Sequence, residues 1–457
     1  MRGHRCEVGH VYLAHTMSGI LLALGYTLLI LYGMRRSVFY GRVPGLPFKW
    51  IAALFLLRIA AGTALWAVYS FIYTDRAAAD VFKYFDDSAF MHAALRERPM
   101  DYLRMITGVG NDTPYFHELY YARMNNWVRH FESNLYNDAH TIIRFNALVR
   151  LISFGEFHVH TVVTAFLSFT GLIGLYRAII PLLPDRKALV AIALFALPSV
   201  LFWASGVIKE SLLFFGIGTL FYLLSRLFAG RMRWWEWAFI LFTVIALFFL
   251  KFYVLLSLLP ALSLAWWARS SDRPGIWVKA MATYGVFILI GLNLHHLIPG
   301  MDILGILTMK QRDFIGLALQ MRSGSFVMPT LLLPDPWLFL QQVPYAWHIT
   351  LVGPILHPGS GPLGFLSALE NLLIVLFLVF CVIHRKPFGQ WNWKLMVPMA
   401  GYILLLAAVI GWTTPVMGAV VRYRTPLLPF IIILGLLMLD GARAERSFPR
   451  TRKLFSA

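Results

Sequence analysis

An all-α, polytopic membrane protein is the fold class this sequence predicts, and three observations predict it. The 457 residues are 59% hydrophobic and only 14% charged, with 36 Phe and 15 Trp, and mean hydropathy is +0.68; soluble domains are less apolar than this. About eleven segments approach the roughly 20 apolar residues that a membrane-crossing helix needs. They lie near 11–33, 50–73, 159–180, 188–204, 211–229, 236–250, 252–268, 276–295, 364–383, 395–413 and 427–440. Basic residues then gather in every second connection: Arg35, Arg36, Arg42 and Lys49; Arg186 and Lys187; Arg226, Arg231 and Arg233; Arg269, Arg273 and Lys279; Arg385, Lys386 and Lys394; and Arg443, Arg446, Arg450, Arg452 and Lys453.

That alternation is the positive-inside pattern. It predicts a cytoplasmic C-terminus and an N-terminus outside. The net charge of +18 is on this view a consequence of topology, which argues against nucleic acid as a partner. The first apolar run carries His15 and leads into Met34-Arg35-Arg36 with no small-residue cleavage site, so no cleavable signal peptide is expected. Cys6 and Cys381 are too few and too far apart for a disulfide framework or a thiolate metal site.

The whole chain, 1–457, reads as one integral-membrane domain with two long outer segments. The first, 74–158, follows the second apolar run and is rich in Asp, Asn, His, Tyr and Arg. It is long enough to fold into short helices on the membrane, with Phe90 to Leu95 and Trp127 to Phe131 amphipathic in the manner of interfacial segments. The second, 296–363, mixes Pro, Gly and apolar residues, as in Pro334-Asp335-Pro336-Trp337 and Gly353-Pro354. It is apolar enough to graze or re-enter the bilayer, where irregular backbone survives only against protein or water. There is no Gly-rich nucleotide loop, no His-Glu-x-x-His and no Gly-x-Ser-x-Gly. No internal repeat stands out.

Polar chemistry is scarce, so its clusters are informative. Ala79 to Ser88 packs Asp80, Lys83, Tyr84, Asp86 and Asp87 into ten residues just beyond the second apolar run. On a helix, Asp80, Lys83 and Asp87 share a face and Asp86 points elsewhere. Clustered carboxylates raise one another's pKa, which suits a general base; they could equally hold a divalent cation such as Mg or Mn through oxygen ligands. The bland alternative is a solvated helix start. A second cluster, Pro198 to Glu210, joins two apolar runs through a Pro-Ser break and a Ser-Gly turn, and ends in Lys209-Glu210. A third is the lone Lys251 between two apolar runs, and a fourth is Arg422-Tyr423-Arg424-Thr425-Pro426. Cations on the outer side run against the positive-inside trend and invite an anionic partner, and guanidinium forks match phosphate oxygens. Each alone is also what snorkelling produces. Arg58 and Glu370 lie within apolar runs, where structural pairing is the ordinary explanation. Of the histidines, including His92, His117, His130, His140, His158 and His160, only His158-x-His160 is closely spaced, and on a helix that spacing splays the rings.

In the order of these features the chain resembles the GT-C superfamily of integral-membrane glycosyltransferases, in its bacterial, polyprenyl-phosphate-sugar-dependent form. The likeness rests on Asp80-x-x-x-Tyr84-Phe85-Asp86-Asp87 opening a large first outer loop, on the Pro198 to Glu210 segment, and on Arg422 to Pro426 near the last span. The resemblance implies a multi-pass protein of the bacterial inner membrane that moves a sugar from a polyprenyl-phosphate donor to a glycan, lipid or protein acceptor on the outer face, with inversion. Asp80, Asp86 or Asp87 would then be the base. Lys209, Lys251, Arg422 and Arg424 would hold phosphate, Glu210 would orient one of them, and Lys83 and Tyr84 would contact substrate. Two departures stand out: a helix near 11–33 precedes the usual first span, and only about 17 residues follow the last one, so no soluble C-terminal domain of the oligosaccharyltransferase kind is expected. A polysaccharide polymerase or ligase is the second enzyme reading, although such proteins carry their large outer loop in the C-terminal half. A lipid or solute transporter, with Arg58 and Glu370 on its path, and a non-catalytic assembly subunit are readings of other classes.

Overall fold

The computed structural model describes residues 3–128, 136–270, 273–357 and 361–447. Among these residues there are helices and three isolated bridges but no strand. Eight helices are long and apolar enough to cross a membrane: Ser18–Arg36, Phe48–Phe71, Phe157–Leu182, Lys209–Phe228, Trp234–Ser270, Gly275–Leu297, Pro362–Ile383 and Trp393–Thr413. The bent pair Met417–Tyr423 and Leu428–Met438 brings the number to nine if it counts as one span. The fold is therefore all-α, and polytopic by length and composition.

The difference from eleven has local causes. Segment 188–204 is broken: Lys187–Ala191 is helical, Ile192–Ala196 widens into a π-turn, and Pro198–Trp203 starts afresh. Proline explains the break, since it offers no N–H and drives the residue before it out of the helical region; Leu197 lies at φ −61, ψ 123. Segments 236–250 and 252–268 are two helices, as expected, that meet at Lys251, whose φ −154 and ψ 80 are not helical; the stretch Trp234–Ser270 counts them once. Segment 427–440 is one arm of the bent pair, set at 62° to the other.

The described chain divides into two compact units, one of residues 3–128, 136–181 and 201–250, the other of 182–200 and 251–447. In the first unit the helices Phe157–Ile179 and Lys209–Phe228 touch backbone to backbone. A Cβ on Gly218 would stand 1.8 Å from the Gly171 carbonyl oxygen, so only glycine permits this approach. That contact fixes where Lys209, at the head of its helix, can stand. Gly62 plays the same part for the turn at 204–208, where a Cβ would lie 2.4 Å from the Ser205 carbonyl. One helical turn before Gly62, the fully buried Arg58 donates from Nη2 to Ser168 Oγ (3.0 Å) and to the Ala204 carbonyl (2.8 Å). Its charged head thus ties three pieces of chain together.

Segment 74–158 folds as a small helical assembly of the soluble type. Its helices are Asp80–Glu97, Pro99–Thr107, Pro114–Leu119 and Ala139–Ser153, two of them with Pro in the first turn, where the missing N–H costs nothing. Val81, Phe82, Tyr84, Met91, Ile142 and Ile143 make its core, and Phe90 and Leu95 pack against it. Trp127 is buried there in a column with Tyr121 and His140, ring centroids 4.5 and 3.9 Å away; the stretch that continues to Phe131 runs outside the described residues. Arg150 pins the acidic helix to Ala139–Ser153 by donating to Ser88 Oγ and the Phe85 carbonyl, each at 2.8 Å, with its guanidinium over the Phe85 ring.

In the second unit, segment 296–363 forms the helices Ile303–Gln320, Pro336–Gln341, Val343–Leu351 and Gly353–Leu356. Gln311 anchors the first of these. Its amide donates to the Thr330 and Trp412 carbonyls and accepts from the Leu332 N–H, which satisfies a buried polar group from both ends.

Candidate functional site

The helix Asp80–Glu97 begins with a carboxylate, which the positive end of the helix favours. Its three aspartates then meet three different fates. Asp87 is buried, and its two oxygens accept the backbone N–H groups of Asn125 and Asn126, both at 2.8 Å. Burial pushes its pKa up to about 6, against the downward pull of those two N–H bonds; the charge of Asp86 adds to the rise and that of Lys83 opposes it. Asp87 thereby closes the chain 124–127 onto the acidic helix. Asp86 is partly exposed and takes both prongs of the Arg76 guanidinium, at 2.8 and 2.6 Å, while Arg76 also lies over the Phe82 ring. Asp80, half-buried, stands one helical turn before Tyr84 and on its face.

Tyr84 is where the first two sequence clusters meet. Its ring is fully buried, and Lys209 Nζ lies 5.4 Å from the ring centroid, within cation–π range. The same ammonium pairs with Asp138 Oδ2 at 2.8 Å. Lys209 is almost completely buried and Glu210, its neighbour in the first turn, is fully so. Residues 201–210 and the acidic helix, more than a hundred residues apart in sequence, are thus joined in one unit. Asp138 was not legible as part of this group, because its role depends on the preceding chain bringing the start of Ala139–Ser153 to Lys209. Lys83 is half-buried on the same helix.

In the second unit the remaining cations assemble around two tyrosines. Lys251, buried at the break in its helix, has its Nζ 4.0 Å from the Tyr423 ring centroid and 3.2 Å from the Tyr253 hydroxyl, to which it donates. Lys310, on Ile303–Gln320, covers the same Tyr253 ring at 5.0 Å. Arg422, half-buried, immediately precedes Tyr423 in the chain. Lys310 escaped the sequence reading because it sits mid-helix beside Arg312 and Asp313 and looks like an ordinary charged face.

Arg422 and Arg424, two apart in sequence, do not act as a pair. Arg424 is fully buried, and its Nη1 donates to Asn371 Oδ1 at 2.6 Å and to the Thr350 carbonyl at 3.1 Å. It is an interior tie that joins three apolar stretches. Glu370, next to Asn371, accepts from the Ser199 N–H at 2.8 Å and from the Ser199 hydroxyl. Both Arg58 and Glu370 therefore hold chain breaks together, a role that needs no translocated ligand. His160 is likewise satisfied, by Asn146 Oδ1 (2.7 Å) and Ser153 Oγ (2.8 Å), and His140 bonds the Trp127 carbonyl; His130 lies outside the described residues. Among the described residues no three His, Cys, Asp or Glu side chains converge in a way that would hold a metal ion. On the acidic helix, Asp86 is turned to Arg76 and Asp87 to the Asn125 and Asn126 N–H groups.

The class that the fold defines is an all-α protein with several helices fit to span a membrane. No family model matches the chain, and no curated protein or solved structure is significantly similar to it.

Proposed function

We propose that the chain is a membrane glycosyltransferase that moves a sugar from a polyprenyl-phosphate donor to an acceptor hydroxyl, with Asp80 as general base. The observation that carries the reading is the joining of the acidic helix to residues 201–210 through Tyr84, Lys209 and Asp138. Asp80 is favoured for proton transfer because it lies one helical turn before Tyr84, on the face that carries the contact with Lys209. Lys209, held by Asp138 and seated on Tyr84, is in this reading a positioning residue that fixes the acidic helix and its field. Lys251, Lys310 and Arg422, which belong to the second unit, enter the proposal by their charge alone, as phosphate ligands.

The reaction needs little more. The acceptor oxygen attacks the anomeric carbon and its proton passes to Asp80; the bond from that carbon to the phosphate oxygen breaks, and its electron pair leaves on the polyprenyl phosphate. The leaving group is already good, so no strong acid is required, and cations meet the charge that develops on phosphate. Attack and departure on opposite faces invert the anomeric centre. In this proposal the protein resides in a bacterial inner membrane with its N-terminus and segment 74–158 outside.

The test uses purified protein in lipid nanodiscs with a polyprenyl-phosphate sugar, reading transfer to acceptor and hydrolysis of donor. Asp80→Asn is expected to lower turnover by about 10²–10⁴-fold, the usual worth of a general base, in protein that still folds. Wild-type turnover in Asp80→Asn would overturn the assignment. Passage of the donor across sealed vesicles without any bond cleavage would replace the enzyme by a transporter.

A further inference from the structure

A second polar feature, separate from the proposed reaction, lies where the apolar helix Pro362–Ile383 ends. There a pocket of about 280 Å³ is lined by Ile383, Arg385, Lys386, Pro387, Phe388 and Arg443. Its floor is rigid. The Lys386 N–H donates to the Met438 carbonyl (2.9 Å), the Asp440 N–H donates to the His384 carbonyl (2.8 Å), and Arg385 and Leu439 face each other in an antiparallel bridge. The ends of two apolar helices, Pro362–Ile383 and Leu428–Met438, are thereby laced together. Beneath them the buried Arg186 donates to the carbonyls of Leu436 and Leu439.

The charge in this corner is lopsided. Arg385, Lys386 and Arg443 share the pocket lining, the charges acting on Lys386 are those of Arg186, Asp440 and Asp185, and Asp440 accepts the N–H groups of Ala442 and Arg443. Burial, and then the neighbouring charge of Arg186, hold Lys386 below the usual lysine range, with Asp440 and Asp185 opposing. A site in which ammonium is disfavoured by burial and by a like charge gains most from an added anion. Arg385 is exposed, with its guanidinium over the Phe388 ring at 4.9 Å.

The apolar flank says which anion. Ile383 and Phe388 are 67% and 47% exposed at the rim, where the helix fit to span a membrane stops. Trp391 and Trp393 stand beside them, donating indole N–H groups to the Lys386 and Phe388 carbonyls, and such aromatic residues mark the headgroup level of a bilayer. A soluble anion would have no use for that rim, whereas acyl chains would cover it.

We propose that this pocket binds the phosphate headgroup of an anionic membrane lipid, with Arg385, Lys386 and Arg443 as its ligands. Basic pockets between helix ends are suited to such headgroups, and guanidinium forks match phosphate oxygens.

The experiment is native mass spectrometry of the full chain in neutral detergent, titrated separately with phosphatidylglycerol, phosphatidylcholine and inorganic phosphate. Wild type should retain phosphatidylglycerol in preference to phosphatidylcholine and should not retain phosphate. At roughly fivefold per cation near a headgroup, the combined variant Arg385→Gln, Lys386→Gln, Arg443→Gln should weaken phosphatidylglycerol binding on the order of a hundredfold, and the exposed single variant Arg385→Gln about fivefold. The single variant keeps the test valid if the triple one unfolds. Undiminished preference in Arg385→Gln would overturn the proposal, as would phosphate binding as tight as the lipid's.

Discussion

The acidic helix and the basic–aromatic cluster place polar groups in apolar surroundings by opposite means. The acidic helix is regular for 18 residues, and side chains are sorted by helical register: Asp80, Tyr84 and Asp87 along one face, with Tyr84 and Asp87 buried, and Asp86 to the side. The cations of the second unit stand where helices fail. Lys251 is the residue whose backbone breaks its helix, and Arg422 and Arg424 flank the 62° bend between Met417–Tyr423 and Leu428–Met438. In a folded segment of soluble type, register and core suffice to aim a side chain. Within apolar helices, a break both frees backbone groups that need partners and lets side chains of non-helical spacing converge. The first arrangement can be read from a motif; the second depends on what the break packs against.

The largest effect should separate the two arginines of the bend. Arg424→Met removes a buried guanidinium and leaves Asn371 Oδ1 and the Thr350 carbonyl without their donor beside the Glu370 carboxylate. Breaking one partner of such a buried set costs about 3–5 kcal/mol. The expected result is a large fall in unfolding temperature in detergent, whereas Arg422→Gln should leave that temperature in place and weaken donor binding. If Arg424→Met melts like wild type yet binds donor poorly, Arg424 is a ligand and the distinction collapses.

Next in size is Asp87→Asn. Its amide would turn an N–H₂ toward Asn125 or Asn126, leaving one backbone donor facing another at a cost of about 1–3 kcal/mol. The pH dependence gives a sharper reading. The folded-state pKa of Asp87 is raised to about 6 from 3.8, so the folded protein holds this proton more tightly than the unfolded chain. The associated stabilisation is complete below about pH 4 and is lost as pH rises through about 6, a change on the order of 3 kcal/mol. Unfolding free energies of wild type and Asp87→Asn should therefore converge between pH 4 and pH 6. If they diverge instead, the two N–H bonds outweigh burial.

A smaller effect tests the basic cluster. Lys251→Gln and Lys310→Gln should each raise the donor Kd about tenfold, or 1.4 kcal/mol, with turnover at saturating donor little changed. Because both lysines engage Tyr253, the double variant should not be additive. Additive losses would mean that Lys310 acts apart from Lys251, on its own helix.

Segment 74–158 shows how much was legible. Helical spacing separates Asp86 from Asp80 and Asp87, but it does not foretell that Asp87 is closed off by the Asn125 and Asn126 N–H groups. Asp138 and Lys310 could not be found that way, because each acquires its role from a partner more than fifty residues away in sequence. The same limit explains the spans. Hydropathy counts apolar residues and cannot register that Leu197-Pro198 stops one helix short of crossing, although the Pro-Ser break is visible. The burial of Arg424 was not legible, because two arginines at an apparent helix start look like surface cations, and only the packing of Thr350 and Asn371 around one of them reveals an interior tie.

The smallest expected effect decides most about the base. Asp86 and Arg76 form a two-pronged but largely exposed pair, and such pairs contribute about 0.2–1 kcal/mol. Asp86→Asn should thus lower stability slightly and leave sugar transfer within about twofold of wild type, since both oxygens of Asp86 already accept from the Arg76 guanidinium. Arg76→Gln offers the complementary measurement: it loosens Asp86 and uncovers the Phe82 ring without touching Asp80. Should Arg76→Gln raise turnover, or Asp86→Asn lower it a hundredfold, the base would be Asp86, held in reserve by Arg76. Register alone would then have misassigned the chemistry on the one helix where it sorts the side chains most plainly.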